Sequence, residues 1–210
     1  MTAARILSTP GCMAEGAAWL AATDPAFARV LDLCGPPPLR RKPDGFAALL
    51  AAIVSQQVST QAARAILGRV EAAGLRDPAA VLAADEETLR ACGLSRQKVR
   101  YVRALAAAGI DYDALRAAPL PEIVATLTAV PGVGRWTAEI YAMFSLGRAD
   151  VFAPADLALQ EGARMLLDLP ERPREAALRS LAERWSPWRS VAAGMIWAYY
   201  GAMKKREGVA

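Results

Sequence analysis

Apolar side chains recur along most of this chain every three to four residues, the spacing of a helix that buries one face. Phe46, Leu49, Leu50, Ile53 and Val54 set that period. The polar tip Ser55-Gln56-Gln57 interrupts it, and Val58, Ala62, Ile66, Leu67 and Val70 take it up again until Gly74. Asp85 with Glu86 and Glu87 reads as an N-cap and an acidic first turn, ended by Cys92-Gly93. Ser95 caps a helix bearing Arg96, Lys98, Arg100 and Arg103, closed by Gly109. Pro121 suits a first turn, and that helix runs to about Val130. After Pro131-Gly132-Val133-Gly134 comes a helix from about Arg135 to Leu146, closed by Gly147. Pro154 and Asp156 open another. The last, from about Pro187 to Met203, carries Trp188, Ile196, Trp197 and Tyr200, and the tail beyond it is expected to fray. The run Gly35 to Pro43, GPPPLRRKP, is a stiff basic connection that sets off an N-terminal helical piece. No stretch alternates β-branched with polar residues, so the expected class is all-α.

Composition sharpens this reading. Much of the 54% hydrophobic content is alanine, the residue that enters a helix at least entropic cost. The 210 residues suffice for one core or for two small lobes. Histidine is absent, which removes Ser-His-Asp and Cys-His catalysis and histidine-ligated metals. Cys12, Cys34 and Cys92 form no close-spaced set, which argues against a disulfide framework and against a zinc or iron–sulfur cage. The net charge of +4 is compatible with a polyanionic partner without requiring one. The N-terminus lacks a signal-peptide pattern and no apolar run reaches membrane-spanning length, so a cytoplasmic, bacterial-type, nucleoid-associated protein without membrane attachment is expected.

The run Leu127 to Ala138, LTAVPGVGRWTA, is the most informative. Two glycines one residue apart lie between helices, where they permit positive φ and close backbone approach. The turn and the first turn of the next helix leave N–H groups without helical acceptors, at the positive end of the helix dipole. Such a turn suits a phosphate; an ordinary αα-hairpin is the plainer reading. The whole string resembles the helix-hairpin-helix motif of the HhH-GPD base-excision glycosylase superfamily, which also contains endonuclease III and 8-oxoguanine glycosylase. That resemblance implies backbone contacts to DNA phosphate from Gly132 and Gly134, with Arg135 beside them. It also implies a monovalent cation, Na+ or K+, on the carbonyls of Thr128, Val130 and Val133 when DNA is bound, no other cofactor being required.

Asp156, in VFAPADLAL, reads locally as a helix cap. In the superfamily an aspartate at this point after the hairpin is the catalytic one, and the two roles are compatible. Members that also cut the strand carry a lysine where this chain has Trp136, and endonuclease III relatives carry a four-cysteine iron–sulfur loop that is missing here. Both departures resemble the 3-methyladenine DNA glycosylase II branch, over roughly residues 45–200, including GFAALLAAIVSQQVSTQAA, GLSRQKVRYV and RWSPWRSVAAGMIWAYY. Larger relatives carry an additional N-terminal sheet domain, for which this chain looks too short.

The resemblance implies a monofunctional DNA glycosylase that flips alkylated bases, of the 3-methyladenine and 7-methylguanine type, out of duplex DNA. Gln57, with Gln56 beside it, would be the wedge that fills the gap; otherwise this tip is a solvated turn. Alkylated purines carry positive charge and leave readily, so an aromatic pocket and a nearby anion suffice. Trp136, Trp197 and, more weakly, Tyr141 are the pocket candidates, with core packing as the alternative for Trp197. Asp156 would stabilise the oxocarbenium-like sugar, orient the attacking water, or both. Glu139 and Asp150 are near in sequence, but the motif gives them no role. Two other functions stay open: a non-catalytic helix-hairpin-helix DNA-binding module, and a glycosylase for mismatched or deaminated bases. The expected architecture is two helical lobes around one DNA-binding cleft, residues 1–43 with 149–210 and residues 44–148, in a monomer.

Overall fold

A computed structural model describes residues 4–206. Among them thirteen α-helices occur and no strand. In chain order these are α1 (Pro10–Thr23), α2 (Pro25–Cys34), α3 (Phe46–Val54), α4 (Thr60–Ala72), α5 (Pro78–Ala83), α6 (Glu86–Ala91) and α7 (Arg96–Ala107). Then follow α8 (Tyr112–Ala117), α9 (Leu120–Thr128), α10 (Arg135–Phe144), α11 (Leu157–Leu166), α12 (Glu175–Ala182) and α13 (Arg189–Arg206). Local chemistry sets the starts. Thr9, Asp24, Ser59, Asp77, Asp85, Ser95, Asp111 and Asp156 each turn a side-chain oxygen onto a first-turn N–H of the helix they precede. Pro10, Pro25 and Pro78 occupy first-turn positions, where a missing N–H costs nothing.

Some expectations shift. Val58 does not resume the apolar face: it lies in the turn before α4, which Ser59 caps, and is 38% exposed. The N-terminal piece is two helices, since Asp24 leaves the helical conformation and caps α2. The final helix starts two residues later than expected, after a cis Ser186–Pro187 bond, and continues through Lys204 to Arg206; residues 207–210 of the expected frayed tail lie outside the described residues.

The chain divides into two compact units. One comprises, among the described residues, 4–41 and 142–206. There α13 packs against α1, α2 and α11, and Leu20, Phe27, Leu159, Leu166, Leu178, Trp185 and Ile196 are fully buried. Because α13 is covered by several neighbours, it is apolar around much of its girth, unlike a one-faced surface helix. The Trp185 ring meets Phe27 edge-on at 5.3 Å and Phe152 at 5.4 Å. The other unit comprises residues 42–141, centred on α7, which packs against α3, α5 and α6. Its core includes Leu49, Ile53, Val102, Leu105, Ile123 and Leu127.

Candidate functional site

Asp156 ends a non-helical stretch, residues 149–155, that the first unit holds from several sides. Ser190 donates its hydroxyl to the carbonyls of Arg148 (2.7 Å) and Val151 (2.9 Å). Arg189 grips Asp150 with Nε on Oδ1 at 2.6 Å and a terminal nitrogen on Oδ2 at 2.9 Å. Ser186 also donates to Asp150. Phe152 is buried against Trp185, and the Gln160 amide donates to the Pro154 carbonyl at 2.8 Å. Asp150 is therefore committed to holding this stretch. Asp156, half-buried, caps α11 through Oδ1, which accepts from Leu159 N–H at 3.0 Å. The same oxygen accepts from the indole N–H of Trp197 at 3.2 Å. A backbone N–H and the indole N–H thus both orient this carboxylate oxygen.

Trp197 also stacks on Phe144, centroids 5.7 Å apart and planes 26° apart. Both rings line a mainly apolar cavity of about 120 Å³ together with Met13, Leu39, Arg40 and Met143. That is well below the roughly 300 Å³ of a formed small-molecule site, so these rings supply a wall and not a whole pocket. Phe144 was not singled out from the sequence. Its signal is slight: an aromatic three residues beyond Tyr141, which in a helix shares a face with it.

In the second unit, the hairpin and the Gln57 turn meet. Gly132 has φ of 90°, which only glycine adopts readily, and a Cβ there would lie 2.4 Å from Cγ of Tyr101. Among the described residues the turn's own backbone bonds run from Val130 to Leu127, from Val133 to Val130 and from Ala138 to Gly134; they do not use the N–H of Gly132 or Gly134. A Cβ on Gly134 would meet open space. The amide of Gln56 donates to the Gly132 carbonyl at 2.9 Å. Gln57 is exposed and has φ of 56°, a left-handed conformation costing a non-glycine residue of order 1 kcal/mol. Such a strained position at an exposed tip is typical of functional turns. Gln56, Gln57, Lys98, Tyr101 and the glycines border a groove of about 560 Å³. Lys98 donates to the carbonyl of Val54 at 2.7 Å, closing the C-terminus of α3, and desolvation holds its ammonium below its usual pKa. Nothing in the sequence pointed to Tyr101 as the seat of the hairpin.

Trp136 lies in the first turn of α10, 43% exposed. Arg135, also exposed, donates through Nε to Glu139 at 3.0 Å; Glu139 is 2% exposed, so this carboxylate serves α10. Tyr141 is 5% exposed, and its hydroxyl accepts from Gly45 N–H at 2.8 Å, tying the start of α3. Burial raises its pKa. Arg96 and Arg100 are exposed on α7. Thr128 and Val130 stand where α9 ends and carbonyls run out of helical donors. The Val130 oxygen accepts from Val133 N–H at 3.0 Å and retains a second lone pair.

The HhH-GPD superfamily of base excision DNA repair proteins matches residues 50–187 of this chain. The chain is 30% identical over 190 residues to DNA-3-methyladenine glycosylase 1 of Schizosaccharomyces pombe, covering 85% of this chain and 83% of that protein. Among solved structures it is similar to a DNA-3-methyladenine glycosidase from Bacillus halodurans, with a TM-score of 0.82, 31% identity and 97% and 95% of the two chains covered. It is also similar to a Schizosaccharomyces pombe 3-methyladenine DNA glycosylase in complex with abasic DNA, with a TM-score of 0.75, 30% identity and 87% and 95% covered.

Proposed function

This chain belongs to the HhH-GPD superfamily of base excision DNA repair proteins, and from that premise we propose that it is a monofunctional DNA glycosylase that hydrolyses the N-glycosidic bond of alkylated purines. The observation that carries the reading is the Asp156 carboxylate, capped onto α11 and fixed by the Trp197 indole N–H. The relatives' names and the abasic-DNA complex support the substrate class.

In this reading the N–H groups of Gly132 and Gly134 take a DNA phosphate at the positive end of α10, with Arg135 adding charge. The carbonyls of Thr128, Val130 and Val133 would hold a Na+ or K+ ion, which supplies positive charge to the same phosphate; no other cofactor enters. Gln57 occupies the gap left by the flipped base. Trp136 and Trp197 offer π faces to the cationic base, worth about 0.5–2 kcal/mol each when desolvated. Tyr141, whose hydroxyl accepts from Gly45 N–H, is the weaker pocket candidate.

The bond from C1′ to the base nitrogen then breaks with its electron pair leaving on the base. An N3- or N7-alkylated purine thereby becomes neutral, and no protein acid is needed. Asp156 stabilises the positive charge that develops on the sugar. Water adds its oxygen to C1′ and its proton passes to solvent, leaving an abasic site. Trp136 stands where strand-cutting relatives carry a lysine, so no amine attacks C1′ and the strand stays intact. The protein acts as a monomer.

The test is incubation with methylated duplex DNA, with free bases measured by chromatography and strand nicking followed separately. The expected outcome is methylpurine release with no nick until alkali is added. Duplex binding without release from methylated, ethenoadenine or hypoxanthine DNA would establish instead a non-catalytic binding module.

A further inference from the structure

We propose that Gln56 is a positioning residue that joins the Gln57 turn to the hairpin, so that the grip on the DNA backbone and the entry of Gln57 into the base stack are one mechanical event. The proposal rests on the glycosylase reading above. Two neighbours in sequence point opposite ways: Gln57 is exposed at the tip, whereas Gln56 is half-buried and donates its amide to the Gly132 carbonyl, 76 positions away, at 2.9 Å.

The acceptor is itself held. Gly132 rests on the ring of Tyr101, close enough to exclude a Cβ, and the hydroxyl of that ring accepts from the Gln97 amide at 2.6 Å. One turn of the same helix supplies Lys98, whose amino group takes the Val54 carbonyl just before the Gln57 turn. Helix α7 is therefore a common seat for both loops, and the Gln56 amide is the direct strut between them. The strut explains how Gln57 keeps a left-handed backbone, φ 56°, that its own side chain disfavours: the preceding residue is anchored from outside the turn. A neutral donor of this length is required. A carboxylate would face the carbonyl oxygen with like polarity, and a shorter amide would not reach.

The test uses the full chain with Gln56→Met, which keeps length and removes the donor, and Gln56→Asn, which keeps the amide one methylene short. Each is made alone and combined with Gln57→Ala. Single-turnover base release at saturating enzyme, affinity for undamaged duplex, and fluorescence of 2-aminopurine placed beside the lesion are measured.

Loss of one neutral hydrogen bond corresponds to about a three- to tenfold effect. The expected result is a fall of that size in the release rate and a weaker 2-aminopurine signal, with affinity for undamaged duplex changed less than about twofold. With Gln57 already replaced by alanine, the Gln56 substitutions should have little further effect, because the group they position is gone. Full additivity in that cycle, or binding weakened as much as release, overturns the proposal. Wild-type release rates in both single variants overturn it too, while leaving the glycosylase reading intact. Absence of release by the wild-type protein overturns the glycosylase reading and this proposal with it.

Discussion

Replacing Asp156 by asparagine removes a charge while keeping an acceptor oxygen for the donors on Oδ1. The Oδ1 atom accepts from Leu159 N–H at 3.0 Å and from the Trp197 indole at 3.2 Å, and an asparagine carbonyl oxygen serves both donors. Asparagine ranks with aspartate as a helix cap, so stability should change by less than about 1 kcal/mol. Alanine differs: it gives up about 1 kcal/mol of capping and leaves a half-buried indole N–H without this acceptor, for a further ~1–2 kcal/mol. For a chain of this size that combined loss lowers Tm by roughly 5–10 °C. The catalytic term is separate. A unit charge about 4 Å from the developing sugar cation, at an effective dielectric near 20, contributes about 4 kcal/mol. Its removal should slow base release about a thousandfold. Single-turnover release from methylated duplex, duplex binding and thermal melting together separate these effects. Asp156→Asn should melt within a few degrees of wild type, bind DNA comparably and release base about a thousandfold more slowly. Wild-type release by this variant would refute the electrostatic role, and a melting loss equal to that of Asp156→Ala would refute the account of the cap.

Three further outcomes follow from the geometry. Gly132→Ala combines a φ of 90° with a Cβ 2.4 Å from the Tyr101 ring, and should cost roughly 2–4 kcal/mol of stability and weaken duplex binding; chemical denaturation and a binding titration check both. In Gly162→Ala the new Cβ would lie 2.6 Å from Cγ2 of Ile196 and 3.2 Å from its carbonyl oxygen, so α11 and α13 must separate. Since these helices carry Asp156 and Trp197, base release should fall by more than duplex binding does; equal effects would count against their pairing. Burial and the neighbouring Tyr141 push the Tyr112 pKa up to about 12, whereas tyrosines of the unfolded chain ionise near 10. The unfolded chain loses its proton first, so this contribution is whole below pH 10 and fades between about pH 10 and 12. Urea unfolding at pH 9 and 11 should show that decline, and Tyr112→Phe should flatten it.

Much of the local structure was legible in the sequence because its causes act over three or four residues. Asp85, Ser95 and Asp156 cap their helices through i to i+3 bonds, and glycines at 74, 93, 109, 132 and 147 take the positive φ that ends a helix or turns the hairpin. The short helices α5, α8 and α12 were not anticipated, since six to eight residues hold too few turns for a hydrophobic period to register. Val58 misled because its apolar character fitted a period that the Ser59 cap had not yet begun.

The residue types of the candidate site were also legible: an aspartate after a helix-hairpin-helix string, a tryptophan in place of lysine, a polar tip between apolar helices. Which of them meet was decided by the tertiary structure alone. Trp197 reaches Asp156 over 41 positions, Gln56 reaches Gly132 over 76, and Arg189 reaches Asp150 over 39. The Tyr141 hydroxyl takes the Gly45 N–H over 96 positions. Such choices depend on how closely packed elements approach, as where Gly162 lets α11 lie against Ile196 or Gly132 rests on Tyr101. A local pattern encodes the conformation of a segment, but a hydrogen bond between distant segments forms only where close packing brings donor and acceptor within about 3 Å.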